Sequence, residues 1–129
     1  MSMNYSVRQV GEVTVLDLSG RITLGEALAF GASSALVLHD LVNDLVTKGS
    51  EKILLNLRHV TYIDSSGLGE LVSCMTTVQN QGGQMRVCNA TERVEDLLHM
   101  THMDAMLHLD KEEATALQAF SAPTKTSAA

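Results

Sequence analysis

Ile53-Leu54-Leu55-Asn56-Leu57, followed by Tyr62-Ile63-Asp64-Ser65-Ser66-Gly67-Leu68-Gly69, runs an apolar strand into two adjacent hydroxyls at the start of a helix. The block from Lys52 to Leu57 is an apolar run broken only by Asn56, with charge at its flanks, the pattern of a central strand covered on both faces. From Ser66 onward Leu68, Leu71, Val72, Met75 and Val78 recur at helical spacing until Gly82-Gly83 stops them. A helix start presents backbone N–H groups without intrahelical acceptors and the positive end of the helix dipole, so an anion on Ser65 or Ser66 would be accommodated there. The same hydroxyls also read as plain caps, with Ser66 expected to cap the helix and Asp64 to shape the turn before it. Gly67 and Gly69 are expected to let a partner's backbone approach closely.

Upstream of this block, residues 4–10 and 12–19 are β-prone runs that predict an opening hairpin, ended by Gly20. Residues 21–33, with Gly25, Gly31 and several alanines, predict a loop or broken helical turn, and Ser33 or Ser34 is a plausible cap for the next helix. Leu38, Leu41, Val42, Leu45 and Val46 mark that helix as amphipathic, ending at Lys48-Gly49. Downstream, Met85 to Cys88 predicts a further central strand and Glu92 to Met100 a helix presenting Val94, Leu97 and Leu98. A short last strand is expected over Ala105 to Leu109, and a last helix near Lys111 to Phe120 anchored by Leu117 and Phe120. Residues 121–129, with Pro123 and small polar side chains, predict a disordered tail after a single domain over 1–120. Strands alternating with helices after a hairpin imply an α/β layer fold with a mostly parallel, mixed sheet of four to five strands. Sites in such sheets collect at the C-terminal ends of the strands, where the Asp64-Ser65-Ser66 turn falls.

Composition narrows the function classes. The 129 residues suffice for one core, and with 45% hydrophobic but only 3% aromatic residues that core must be aliphatic. A net charge of −6 argues against nucleic acid and anionic membrane surfaces as partners, because both need a basic footprint, and the scarcity of aromatic residues argues against a stacking platform for bases. No secretory leader or bilayer-length apolar run is visible, which predicts a cytoplasmic protein, and Cys74 and Cys88 read as buried reduced thiols.

With this order of elements, the chain resembles the STAS family over about residues 5–118, and within it the bacterial anti-sigma factor antagonists. The motif from Ile53 to Gly69 carries the resemblance; Gly20 and Gln81-Gly82-Gly83 agree in position. The resemblance implies a non-enzymatic, cofactor-free regulator that binds an anti-sigma factor serine kinase and so frees a sigma factor. It implies phosphorylation at Ser65, which ends binding, and a PP2C-type phosphatase that restores it. It places the partner surface on Arg21, Ile22 and Thr23 together with Asp64, Ser66, Gly67, Leu68 and Gly69, and allows a weak homodimer. Two departures fall on that surface: many family members have an Asp where Thr23 stands, and the segment 21–34 is longer and richer in Gly and Ala.

Other readings compete. A docking module without a kinase is one; a small enzyme with Ser65 or Ser66 as nucleophile, His59 as base and Asp64 as orienter is another, though no Gly-x-Ser-x-Gly elbow is present. Gly67-Leu68-Gly69 lacks the Lys of a P-loop and the third Gly of a dinucleotide fingerprint. His99, His102 and His108 read as surface histidines rather than metal ligands, and Met100, Met103 and Met106 as core filling or a soft contact surface. Glu12, Asp44, Glu92, Glu95 and Asp96 read as a solvated acidic exterior.

Overall fold

In the chain's computed structural model, which describes residues 4–23 and 34–121, strands β1 (Asn4–Val10) and β2 (Val13–Ile22) form the expected hairpin. Helix α1 (Ser34–Thr47), strand β3 (Lys52–Ile63), helix α2 (Ser65–Asn80), strand β4 (Gln84–Cys88) and helix α3 (Glu92–Met100) come next along the chain. A two-residue β5 (Leu109–Asp110) and helix α4 (Glu113–Ser121) complete the described residues. The strands lie in the order β1-β2-β3-β4-β5, antiparallel between β1 and β2 and parallel throughout the rest.

Alternation along the strands divides the interior in two. Leu16, Leu18, Ile53 and Leu55 face α1, α2 and α3 in the larger cluster, which also takes Leu38, Leu71, Val94 and Leu98. Val13, Val15, Leu54 and Cys88 face the other way, where Ala116 and Phe120 of α4 cover them. That double coverage is why Ile53-Leu54-Leu55 reads as an unbroken apolar run.

Strand β3 is longer than the expected Lys52–Leu57, and β2 passes Gly20 to reach Ile22. The register explains both. Asp17 pairs with Asn56 and Ser19 with His59; Gly20 pairs with Val60 and Arg21 with Tyr62, so β3 carries one extra residue at each of two bulges. Buried positions on the helix face therefore step from Leu57 to Val60 to Ile63, in threes instead of twos, which hides the strand from a period-two reading. Gly20 sits at the second irregularity with φ +94°, so it bends the strand instead of ending it.

The last strand also differs. Residues 104–108 are turns, with Leu107 N–H bonded to the Met103 carbonyl and fully buried Leu107 plugging the core; only Leu109 and Asp110 pair with β4. Of the strand expected over Ala105 to Leu109, only Leu109 is in a strand. Phe120 is buried and Leu117 packs beside it, as the last helix required, but that helix begins at Glu113 and includes Ser121. Of the loop expected over 21–33, Arg21 and Ile22 belong to β2, while residues 24–33, with the cap at Ser33, and residues 122–129 of the expected tail lie outside the described residues; Ser34 opens α1.

Candidate functional site

The parallel strands β2 and β3 end side by side at Ile22 and Ile63, and the chain turns at Asp64 into α2. Asp64, with extended backbone (φ −96°, ψ −179°), is the helix cap: its Oδ1 accepts from Gly67 N–H at 2.7 Å and its carbonyl from Leu68 N–H at 2.9 Å. Ser66 therefore does not cap the helix, as the sequence reading expected; the acidic side chain one residue before the helix takes that role and places Ser65 at the first helical position. Ser65 is exposed, Ser66 half-buried, and neither first-turn N–H has an intrahelical acceptor.

Gly67 is not an approach point for a partner. A Cβ there would stand 2.1 Å from the Ile22 carbonyl oxygen and 3.0 Å from Ile63 Cγ2, so the missing side chain admits the protein's own β2. Gly69, by contrast, is exposed with open space around it. Among the other predicted contact residues, Ile22 (0% exposed), Thr23 (6%) and Leu68 (7%) are turned into the molecule. Arg21 is exposed, its guanidinium 4.9 Å from the centre of the Tyr62 ring, a cation–π distance. The outward surface at the strand ends is thus Arg21, Tyr62, Ser65 and Gly69.

A groove of about 780 Å³ opens beside Ser65, between the end of β3 and helix α3. Ile63, Val94 and Leu97 form its apolar part, Asp64, Glu92, Arg93 and Asp96 its charged rim, and Met100, 78% exposed, stands at one side. From its sequence, α3 is expected only to pack on the sheet. Its available signal was Val94, Leu97 and Met100, a row at i, i+3 and i+6 beside the buried Val94/Leu98 pair.

The remaining candidates disperse. His59 pairs with Ser19 in mid-strand, five residues before Asp64 and about 13 Å or more away at the rise of extended chain, so His59 does not stand beside the serines as a base. His99 Nδ1 pairs with Asp104, while His102 and His108 occupy turns with φ +60° and +53°. Among the described residues no three His, Cys, Asp or Glu side chains converge as a metal site would require. Burial pushes the Cys74 and Cys88 thiols up to about 12, reinforced by nearby carboxylates, Glu70 for Cys74 and Glu113 for Cys88.

The family model for the STAS domain matches residues 4–116. The chain belongs to the STAS domain family. Among curated relatives, this STAS domain is 26% identical over 118 residues to the anti-sigma-B factor antagonist of Bacillus subtilis, covering 92% of this chain and 100% of that one. Among solved structures it resembles an anti-sigma factor antagonist from Mycobacterium paratuberculosis, with TM-score 0.74 and 23% identity over 92% of this chain and 93% of that one. It also resembles Bacillus SpoIIAA in its phosphorylated form, with TM-score 0.63 and 15% identity over 90% and 99% of the two chains. At those identities the two structures speak to the fold. No helix among the described residues of this STAS domain is long and apolar enough to cross a membrane.

Proposed function

We propose that this STAS domain is an anti-sigma factor antagonist: it binds an anti-sigma factor that is a serine kinase, frees a sigma factor, and is switched off by phosphorylation at Ser65. The observation that carries this reading is the exposed Ser65 hydroxyl at the first position of α2, on the rim of an open groove and held out by the Asp64 cap. The relatedness to proteins named as anti-sigma factor antagonists supports the role. The protein acts by docking rather than by catalysis, in the cytoplasm, with a PP2C-type phosphatase to reset it, and this reading allows a weak homodimer. The folding unit is the expected 1–120, carried one residue further by Ser121 at the end of α4.

Charge drives the switch in this reading. A phosphate brings about −1.5 to −2 at neutral pH beside Asp64. The α2 dipole offsets about 0.3–1 kcal/mol of the local cost, whereas a like charge brought into a desolvated interface costs several. The test is titration calorimetry against the anti-sigma factor, with a kinase assay alongside. Ser65→Ala is expected to bind and resist phosphorylation; Ser65→Asp is expected to bind about 1–3 kcal/mol more weakly. Equal affinities, with phosphate still entering Ser65→Ala, would remove Ser65 as the switch.

A second reading, a docking module without a kinase, is favoured by one observation: Thr23, where the family resemblance leads one to expect an acid, is buried and offers no carboxylate to a partner. Absence of phosphate incorporation with retained binding would select it.

A further inference from the structure

The groove that holds Ser65 on one wall holds Arg93 on the other, on the first turn of α3. Arg93 is exposed and makes no ion pair among the described residues. The charged groups facing the groove are Asp64 before α2, Glu92, Arg93 and Asp96 of α3, and, behind Tyr62, Arg21 of β2. Asp64 is already committed to the Gly67 N–H, and Arg21 lies over the Tyr62 ring. A phosphate on Ser65 would therefore meet three carboxylates and, among the lining residues, one cation.

Resting on the phosphorylation reading above, we propose that Arg93 is the intramolecular partner of a phosphate on Ser65. Modification draws the guanidinium across the groove, so that the phosphate and Arg93 together fill the opening beside Ile63 and Leu97. A guanidinium presents paired N–H donors that match phosphate oxygens, and the unbonded N–H groups of the first α2 turn complete the ligation from the other side. The switch then acts twice: it adds negative charge at Ser65, and it closes an apolar groove that the unmodified protein keeps open.

The experiment uses the full chain with phosphoserine placed at position 65 by genetic encoding, so no kinase is needed. The second ionisation of the phosphate is followed by phosphorus NMR against pH. A facing cation favours the dianion, so the wild-type chain should titrate about 1 pH unit below Arg93→Gln, with Arg93→Lys between them. Titrations of wild type and Arg93→Gln that agree within roughly 0.2 pH unit would overturn the proposal. A merely structural role for Arg93 would move the melting temperature of the unphosphorylated variant and leave the phosphate titration unchanged, which also overturns it. Failure of the parent reading shows elsewhere: the anti-sigma factor would bind the phosphoserine chain as tightly as the unmodified one, whatever the NMR titration gives.

Discussion

Gly67 and Gly69 stand two residues apart in one helix under opposite constraints. At Gly67 any Cβ collides with the Ile22 carbonyl, backbone that cannot swing aside, so Gly67→Ala should lose at least the roughly 1–3 kcal/mol typical of overpacking. At Gly69 nothing lies within 4 Å, and Gly69→Ala should gain about 0.5–1 kcal/mol from helix propensity alone. Urea unfolding of the two variants gives changes of opposite sign if the strand-end contact is as described. The same method tests the cap: Asp64→Ala should cost about 0.5–2 kcal/mol, because the Gly67 N–H loses its acceptor, while Ser66→Ala stays within about 0.5. The reverse order would return the capping role to Ser66.

At the scale of elements, a charged clasp ties the edge strand to the last helix. Arg8 of β1 donates to Asp17 of β2 at 2.9 Å and to Glu113 of α4 at 2.7 Å, and Asn56 of β3 donates to Asp17 at 2.7 Å. The hydrogen bond from Arg8 holds the Asp17 carboxyl below its ordinary 3.8; partial burial works the other way, and the Asn56 amide adds to the lowering. A depressed carboxyl contributes stability that is present above its unfolded value and is lost as pH falls through its folded one. Thermal melts should therefore show a fall in stability below about pH 4 that Asp17→Asn flattens. An unchanged acid limb in Asp17→Asn would place the acid-labile carboxylate elsewhere. Arg8 is itself considerably exposed, so the effect at neutral pH should be modest.

For the whole molecule, the two thiols report on the two sides of the sheet. Cys74 lies in the cluster under α1, α2 and α3, and Cys88 in the cluster under α4. Phe120→Ala opens the smaller cluster and should cost about 3–5 kcal/mol. A disulfide reagent at pH near 8 should then modify Cys88 well before Cys74, while both stay slow in the wild-type chain, since the thiolate is the reactive form. Equal rates at both thiols in Phe120→Ala would mean that the two clusters open together. Raised thiol values also imply, by the same linkage, that stability declines as pH climbs from the ordinary 9.0 towards 12.

The pattern of the chain by itself determined the α/β class, the hairpin leading into parallel strands, and the position of the serine-bearing turn, because apolar periodicity and glycine breaks are local signals. Helices α2 and α3 were legible from spacings such as Leu68-Leu71-Met75-Val78 and Val94-Leu98 for the same reason. Tertiary structure alone decided what bulges and close approaches govern. The steps of three at Leu57, Val60 and Ile63 are set by pairing with β2, so the true length of β3 was hidden until its neighbour was known. Gly67 took its meaning from the Ile22 carbonyl, 45 positions earlier in the chain, and the groove beside Ser65 from α3, which approaches only through the sheet. A contact between residues distant in sequence leaves no period to read, and this site is made of such contacts.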